Sequence, residues 1–186
     1  MSGPTLLDLG CGDDKLPDAL GMDKVPGPAI DVVHDLDVRP WPLESDRFDR
    51  VRAQNVLEHV HDLVAVMEEL HRVCRDGARV DILMPFMGSV TFATDPTHRR
   101  AAAHRSFEYF EPGTAFGAFR YSATARFKVE RFAYHRGHPG GLSSMVFKAL
   151  DHVVMPLAHR YPSQYECYFA GVYPVHNIRF TLRALK

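Results

Sequence analysis

The sequence predicts an α/β protein with a mostly parallel sheet, and three observations support this prediction. First, strand-like apolar runs alternate with segments of helical periodicity, as in chains whose helices cover both faces of a sheet. Second, the first apolar run, residues 6–9, leads directly into Gly10 and Gly12, so that a buried strand ends in a tight turn. Third, the next strand-like runs end at an acidic or amide side chain. Because the carboxyl ends of parallel strands meet at one edge, a ligand site is predicted there.

Length and composition favour a single globular domain spanning residues 1–186. Hydrophobic residues make up 46% and charged residues 24%, and the formal net charge of −1 argues against a nucleic-acid-binding surface. The three cysteines include no Cys-x-x-Cys pair, so neither a disulfide framework nor a zinc site is expected. No apolar run approaches the roughly 20 residues of a membrane helix, and the N-terminus lacks a leader pattern. We therefore expect a cytoplasmic protein with no membrane or nucleic-acid partner.

Charge is distributed unevenly along the chain. Residues 1–49 hold eleven acidic and four basic side chains, a local balance of −7. Residues 98–136 hold eight basic and three acidic side chains, a local balance of +5. The acidic part suits a cationic cofactor with hydroxyl groups, and the basic part suits an anionic acceptor. The alternative is that both parts are solvated faces without a ligand.

The glycine turn after the first strand predicts a nucleotide-type cofactor site. Backbone N–H groups and the positive end of a helix face the ligand in such turns. The dinucleotide fingerprint would require a third glycine at position 15, where this chain has Lys15, so a nicotinamide dehydrogenase is disfavoured. The alternative is an ordinary corner between a strand and a turn.

The second strand, residues 20–23, ends in a candidate ribose ligand, Asp23. An acid at this strand tip accepts hydrogen bonds from ribose hydroxyls. Asp23 comes 11 positions after Gly12, compared with about 20 in the usual unit, so the first crossover helix must be shortened. The alternative is that Asp23 only caps the loop of residues 24–28.

Further predicted elements complete the alternating pattern. They are strands at residues 29–34, 46–53, 78–84, 127–134 and 176–182, and helices at residues 61–75 and 142–160. Residues 86–126 lack regular periodicity apart from a short helical signal, and loops of this length in compact domains are usually functional or disordered. Because this segment follows a strand, we expect it to cover the carboxyl edge of the sheet.

Four short motifs resemble those of class I S-adenosylmethionine (SAM)-dependent methyltransferases. Asp-Leu-Gly-Cys-Gly at residues 8–12 resembles the first motif of that family. Asp35 and Leu36 match its acid and apolar pair after the third strand, and Gln-Asn-Val-Leu-Glu-His-Val at residues 54–60 resembles its segment after the fourth. Residues 94–100 look like the Asp-Pro-Thr-His-Arg segment of small bacterial methyltransferases. The resemblance implies a three-layer, Rossmann-like fold with a mostly parallel seven-stranded sheet and an antiparallel last strand.

The resemblance also implies SAM as cofactor and S-adenosylhomocysteine as product. The implied cofactor-binding residues are Asp8, Gly10, Cys11, Gly12, Asp23, Lys24, Asp35, Leu36, Gln54, Asn55 and His59. Backbone groups of the glycine turn would surround the amino-acid end of SAM, and the first aspartate would hold the turn or reach the amine through water. The strand-tip acids would take the ribose and the adenine, and the amides after the fourth strand would line the methionyl part.

Methyl transfer to a protonated nucleophile also needs a base, and histidine is suited to that role near neutral pH. His98 is the first candidate because its segment should cover the sheet edge, and His104 is the second. Arg99 and Arg100 could anchor a carboxylate or phosphate of a small acceptor, such as an acidic secondary metabolite. We expect no metal site, because the alternating pair His59 and His61 would diverge at the start of a helix.

Two segments, residues 86–126 and 137–170, are expected to be lid insertions on the substrate side. Three other functions stay open beside small-molecule methylation: a non-catalytic SAM-binding partner subunit, a protein or RNA methyltransferase, and a nicotinamide dehydrogenase as the least favoured. The sequence also leaves open whether a second copy of the chain forms a homodimer.

Overall fold

A computed structural model describes residues 5–136 and 142–186 of the chain, and a seven-stranded sheet forms its centre. The strands are β1 (Leu6–Leu9), β2 (Leu20–Asp23), β3 (Val32–Val33), β4 (Phe48–Gln54), β5 (Cys74–Pro85), β6 (Phe127–His135) and β7 (Asn177–Ala184). Their spatial order is β3-β2-β1-β4-β5-β7-β6. The first five strands are parallel, whereas β7 runs antiparallel between β5 and β6. This topology confirms the predicted Rossmann-like fold.

In the described ranges, four α-helices and several short helical turns connect the strands. The helices are α1 (Leu63–Val73), α2 (Val90–Thr94), α3 (Leu142–Arg160) and α4 (Pro162–Gln164), and single turns occupy Glu108–Phe110, Gly117–Phe119 and Tyr165–Phe169. Asp62 caps α1 by accepting a hydrogen bond from the Ala65 amide at 3.0 Å. No helix in the described part of the chain is long and apolar enough to cross a membrane.

The core lies between α1 and the middle of the sheet. The inward side chains of β1, β4 and β5 are completely buried, and those of α1 follow its helical stripe. They are Leu7, Leu9, Val51, Ala53, Val80 and Ile82 from the strands, and Val66, Met67, Leu70 and Val73 from the helix. Burying these side chains stabilises the central strands, so their carboxyl ends are held at fixed positions.

The first crossover is shorter than in the usual nucleotide-binding unit, as its sequence predicted. Between Gly10 and Ala19 the chain forms turns and no helix. β3 is also shorter than the predicted strand at residues 29–34. The Asp31 carboxylate accepts hydrogen bonds from the Gly21 amide at 2.7 Å and from Lys15 Nζ at 2.8 Å, which holds the preceding residues in a turn. The local β-propensity of this segment is therefore overridden by a tertiary contact.

The structure describes one predicted lid segment completely and the other in part. Residues 86–126 contain α2 and two short helical turns, and Phe86 forms an isolated bridge with Ala102. The segment 137–170 begins at residues 137–141, which lie outside the described residues, and continues into α3 and α4. That both segments act as lids stays a prediction.

Candidate functional site

A cavity of about 820 Å³ opens at the carboxyl ends of β1, β2, β3 and β4. Asp23 from β2 and Asp35 from the turn after β3 both line it, together with Leu36. The side of the cavity opposite these strand tips is formed by the segment Pro96–Arg99. The strand-end residues predicted from the sequence therefore converge on one cavity. Its volume lies within the range of roughly 300–1,000 Å³ that is typical of ligand pockets.

The glycine turn after β1 closes one side of this cavity. Gly10 has a φ of +60°, and its amide donates a hydrogen bond to the Met22 carbonyl at 2.8 Å. A Cβ atom at Gly10 would lie 2.3 Å from Val56 Cγ2, so this position has no space for a side chain. Gly12 has a φ of +48°, and its amide donates to Asp23 Oδ2 at 3.0 Å. The turn is thus tied to β2 through both glycines.

The two strand-tip carboxylates are held by short backbone contacts. Asp23 Oδ1 accepts a hydrogen bond from the Val25 amide at 2.9 Å, and Asp35 Oδ1 accepts one from the Asp37 amide at 3.0 Å. Each carboxylate oxygen has two acceptor positions, so both groups keep acceptor capacity for a ligand. Lys24 and Leu36 line the same cavity, the first exposed and the second buried.

Four predicted cofactor residues lie near the turn but do not line the larger cavity: Asp8, Cys11, Gly12 and Gln54. Asp8 is buried, and its carboxylate forms a two-point ion pair with Arg52, with Nε to Oδ1 at 2.7 Å and Nη2 to Oδ2 at 2.6 Å. It also accepts the Leu16 amide at 2.9 Å. Asp8 therefore positions the turn from behind. Burial, aided by the nearby Asp8 and Asp23, raises the pKa of the Cys11 thiol.

A second cavity of about 570 Å³ adjoins the first. Four residues line both cavities: Asn55, His59, Pro96 and His98. The second cavity is otherwise lined by Glu58, Pro85, Thr91, Thr94, Asp95 and Asn177. The junction between the two cavities is therefore formed by the turn after β4 and by the segment after α2.

Hydrogen bonds fix the orientation of the two histidines at the junction. Thr97 Oγ1 donates to Asp95 Oδ1 at 2.6 Å, so its oxygen accepts from His59 Nδ1 at 2.9 Å. His98 Nδ1 lies 3.1 Å from the Phe92 carbonyl, which can only accept. In both neutral rings the hydrogen therefore lies on Nδ1 and the lone pair lies on Nε2. The ring centroids are 4.7 Å apart.

Glu58 lies beside these histidines, and its carboxylate makes no hydrogen bond to any described residue. Its side chain is completely buried, and Oε1 is 3.9 Å from His98 Nε2, beyond hydrogen-bond distance. Burial raises the pKa of Glu58 to about 7. Burial also lowers the pKa of His59, and the neighbouring His98 adds to this effect. Within residues 5–136 and 142–186, Asn177 Oδ1 and the two Glu58 carboxylate oxygens are the buried side-chain atoms without a hydrogen-bond partner.

The segment that carries His98 is fastened to the turn after β4 by two arginines. The Arg99 amide donates to the Glu58 carbonyl at 2.8 Å, and the Arg99 side chain lines the larger cavity. The Arg100 guanidinium lines neither described cavity and donates instead to three carbonyl groups, those of Leu57, Val60 and His61. The two predicted anion-binding residues thus have different surroundings.

His104, the second candidate base, lies outside both described cavities. Its Nδ1 lies 2.7 Å from Glu166 Oε2, and the Tyr134 hydroxyl donates to Glu166 Oε1 at 2.9 Å. His61 lines the larger cavity but not the second one, and its Nδ1 lies 2.8 Å from Asp37 Oδ2. Of the histidines singled out in the sequence, the structure brings together His59 and His98.

Sequence reasoning missed four side chains that matter at this site: Arg52, Glu58, Asp95 and Asn177. Glu58 had a local signal, because it is an acidic residue directly after the apolar pair Val56 and Leu57 and directly before His59. Asn177 had none, because the first residue of β7 reaches the cavity only through the antiparallel pairing of β7 with Pro85 on β5.

The sequence matches, over residues 2–119, the family described as the methyltransferase domain. The chain belongs to this methyltransferase domain family. No curated protein gives a significant match. Among solved structures, a SAM-dependent methyltransferase from Archaeoglobus fulgidus is 13% identical, with a TM-score of 0.59 over 96% of this chain and 85% of that one.

Two further structures share the fold of this methyltransferase. A putative methyltransferase from Bacillus halodurans is 13% identical, with a TM-score of 0.59 over 100% of this chain and 94% of that one. A putative methyltransferase from Haloferax volcanii, solved in complex with the Trm112 activator, is 15% identical, with a TM-score of 0.56 over 100% of this chain and 84% of that one. The family match identifies the protein as a methyltransferase, and its fold is shared with SAM-dependent methyltransferases.

The residues around the larger cavity fit SAM as the cofactor. The backbone at Gly10 borders the cavity at a position where the packing of Val56 excludes a Cβ atom. Carboxylates at Asp23 and Asp35 offer acceptors for hydroxyl and amino groups, and Leu36 offers an apolar surface. These groups lie on separate strand tips around one cavity, as an adenosyl group with distinct polar ends requires.

Proposed function

We propose that this methyltransferase methylates a small molecule that binds in the cavity of about 570 Å³ beside the SAM cavity. The observation that carries this proposal is that His59 and His98 line both cavities, at the place where cofactor and acceptor would meet. A cavity of this volume suits a small organic acceptor better than a folded macromolecule.

The strand tips would hold the cofactor in this proposal. Asp23 accepts hydrogen bonds from the ribose, Asp35 accepts one from the adenine amino group, and Leu36 covers the ring. Gly10 presents its backbone to the amino-acid end, and the ion pair of Asp8 with Arg52 keeps the turn in place. When bound, SAM supplies an electrophilic methyl group on a sulfonium, and the product is S-adenosylhomocysteine.

His98 is the side chain best placed to accept the proton of the acceptor. His98 Nδ1 donates a hydrogen bond to the Phe92 carbonyl oxygen at 3.1 Å, so the lone pair of the neutral ring lies on Nε2. Its side chain is 8% exposed, so the ring is held by packing rather than free in solvent. Holding a base and an acceptor in fixed positions contributes proximity as well as proton transfer.

The anionic acceptor stays a prediction from the sequence, because the proposed acceptor cavity is lined by the carboxylates of Glu58 and Asp95 and by neither predicted arginine. Arg99 lies on the cofactor side of the junction. Its side chain lines the larger cavity, whereas the guanidinium of Arg100 is occupied by backbone carbonyls. The anion-binding role predicted from the sequence can therefore fall to Arg99 but not to Arg100, which holds residues 96–99 against the turn after β4.

Calorimetric titration with SAM tests the cofactor part. Asp23→Asn is expected to weaken SAM binding about 10–100-fold, because a hydrogen bond to a charged group contributes roughly 1.5–3 kcal/mol. The matched control is Asp18→Asn, since Asp18 is exposed and lines neither described cavity. Undetectable SAM binding by the unmodified protein would overturn the proposal.

Mass spectrometry of S-adenosylhomocysteine formation, with a panel of anionic and neutral small acceptors, tests the acceptor part. With an acceptor that is methylated, His98→Gln is expected to lower kcat by about 10²–10⁴-fold, the usual contribution of a positioned base. A panel in which neutral acceptors are preferred would remove the anionic-acceptor assignment. Unchanged kcat in His98→Gln would remove the histidine from the mechanism.

A further inference from the structure

Three side chains at the junction between the two cavities carry atoms that could bind a metal ion. Glu58, His59 and His98 each offer one ligand atom, and these three atoms all lie within 4.8 Å of one another. Two histidine nitrogens and one carboxylate oxygen are a common donor set for divalent transition metals in proteins.

The state of Glu58 is an independent observation that points to a ligand. A carboxylate that is completely buried without any hydrogen bond is costly, and native proteins rarely retain one without a counter-ion or a metal. Asn177 Oδ1, the other buried side-chain oxygen without a partner in the described ranges, lines the same cavity. A cation between Glu58 and the histidines would satisfy the carboxylate.

The surrounding hydrogen bonds prepare both imidazoles for metal binding. His59 Nδ1 donates to Thr97, which is itself held by Asp95, and His98 Nδ1 donates to the Phe92 carbonyl. This is the usual arrangement around metal-binding histidines, in which the second ring nitrogen is fixed by a protein acceptor and the first keeps its lone pair. Asp95 Oδ2 adds negative charge 3.7 Å from His98 Nε2.

We propose that Glu58, His59 and His98 form a binding site for a divalent transition-metal ion at the junction of the two cavities. Metal–ligand distances of roughly 2.0–2.2 Å place neighbouring ligand atoms about 3–3.6 Å apart. The separation of 3.9 Å between Glu58 Oε1 and His98 Nε2 therefore needs a contraction of less than about an ångström, and the widest pair of the three, within 4.8 Å, needs at most about 1.8 Å. Rotation of the side chains about their χ angles would bring the three atoms together. Asn177 Oδ1 lies on the same cavity and is available as a further oxygen donor.

A role for the ion rests on the proposed function. A cation beside the acceptor cavity would lower the pKa of an acceptor hydroxyl group bound to it, so an acceptor with oxygen donors is favoured. The base role proposed for His98 applies to the site without the ion. With the ion bound, His98 Nε2 would be a ligand, and the proton of the acidified hydroxyl group would leave to solvent water before methyl transfer. Removal of the metal would lower the rate of methylation but leave SAM binding intact.

Cobalt(II) is the probe for the site, because it takes similar ligands to Zn²⁺ and has visible absorption bands in protein sites. The protein, with any affinity tag removed, is titrated with Co²⁺ in the absence of SAM and acceptor. We expect one ion per chain and a rise in melting temperature, because a ligand that binds only the folded state stabilises it. Glu58→Gln and His98→Gln are each expected to weaken Co²⁺ binding by 100-fold or more.

The matched control is His152→Gln, which removes an exposed histidine on α3 and should bind Co²⁺ as the unmodified protein does. Glu58→Gln without metal is expected to melt no earlier than the unmodified protein, because an unpaired buried charge is removed. The Glu58→Gln variant should also bind SAM as the unmodified protein does. Co²⁺ affinity that is unchanged in Glu58→Gln and His98→Gln, or absent from the unmodified protein, would overturn the metal site. If the unmodified protein did not bind SAM, the proposed function would be overturned instead.

Discussion

Asp8 at the middle of β1 and Arg52 on β4 form a two-point ion pair, with Nε and Nη2 of the guanidinium 2.7 and 2.6 Å from the two carboxylate oxygens. The Asp8 side chain is 1% exposed and that of Arg52 is 12% exposed. Arg52 Nη2 also donates to the Asp14 carbonyl, beyond the glycine turn. The pair therefore connects two neighbouring strands to the far end of the turn that borders the larger cavity.

Arg52→Met is expected to destabilise the protein by about 3–5 kcal/mol, because it leaves the Asp8 carboxylate buried and unpaired. Urea unfolding measures this loss, and calorimetry should show weaker SAM binding because the turn is no longer held. The double variant Asp8→Asn/Arg52→Met is the control. It should be more stable than Arg52→Met alone, since it removes the unpaired charge. A loss below about 1 kcal/mol in Arg52→Met would show that the pair is not needed for stability.

Gly10→Ala and Gly12→Ala separate backbone strain from packing in the same turn. Both glycines have positive φ, so alanine at either position costs about 1–2 kcal/mol. At Gly10 the new Cβ also meets Val56 Cγ2 at 2.3 Å, which adds about 1–3 kcal/mol of overpacking, whereas at Gly12 nothing lies within 4 Å of it. We therefore expect Gly10→Ala to lower the melting temperature and the SAM affinity more than Gly12→Ala. If the two substitutions lowered the melting temperature and the SAM affinity equally, the Val56 side chain would have to move away from the new Cβ atom without energetic cost.

Arg99 and Arg100 are neighbours in sequence but should respond differently to replacement by alanine. Arg100→Ala removes the hydrogen bonds to the carbonyls of Leu57, Val60 and His61 and should destabilise the protein by about 1–3 kcal/mol. Hydrogen exchange should then become faster in residues 96–99, around His98. Arg99→Ala removes an exposed side chain and should change stability by less than about 0.5 kcal/mol.

The same pair tests the anionic-acceptor assignment. Arg99→Ala should raise KM for an anionic acceptor and leave KM for a neutral one unchanged, measured as S-adenosylhomocysteine formation. If Arg100→Ala raised KM for anionic acceptors while Arg99→Ala did not, the assignment of the two roles would be reversed.

The elements that the sequence predicted well are those in which the local pattern and the final environment agree. The apolar runs of β1, β4 and β5 are buried as expected, and Asp23 and Asp35 line one cavity because parallel strands end at one edge. β3 is shorter than predicted because the Asp31 carboxylate accepts hydrogen bonds from Lys15 and from the Gly21 amide. Local β-propensity does not reflect such a tertiary contact.

The parts of the site that could not be predicted depend on contacts between distant segments. Asp8 was expected to hold the glycine turn, but its partner Arg52 lies 44 positions away and became visible only with the pairing of β1 and β4. The cluster of Glu58 with His98 likewise depends on how residues 96–99 fold back on the turn after β4. Its identification as a metal site is therefore a proposal from structure.

His71 on α1 provides a pH-dependent contribution to stability. Its ring is buried, its Nε2 lies 2.7 Å from the Leu185 carbonyl, and burial lowers its pKa below the ordinary value of about 6.5. The unfolded chain therefore binds more protons at this residue than the folded protein does below about pH 6.5. Its contribution to stability is complete above that pH and is lost as the pH falls toward the lowered value.

Urea unfolding between about pH 7.5 and pH 5 measures this effect. His71→Gln cannot titrate in this range, so its stability should fall less steeply with decreasing pH than that of the unmodified protein. His152→Gln, which removes an exposed histidine, should keep the original slope. Parallel pH profiles for the unmodified protein and His71→Gln would show that the imidazole titrates equally in both states.

The three cysteines should react with a thiol reagent at three different rates. Cys167 is exposed, whereas Cys11 and Cys74 are buried, and burial raises the pKa of Cys74 to about 12. The thiolate is the reactive form, so at about pH 8 only about one Cys74 in ten thousand is reactive, even before access is considered. Ellman's reagent should therefore label Cys167 first, Cys11 slowly and Cys74 only after unfolding, and all three in denaturant. Because Cys11 lies in the glycine turn, SAM should slow the labelling of Cys11 further and leave the labelling of Cys167 unchanged. If SAM did not change the labelling rate of Cys11, the glycine turn would not be part of the cofactor site.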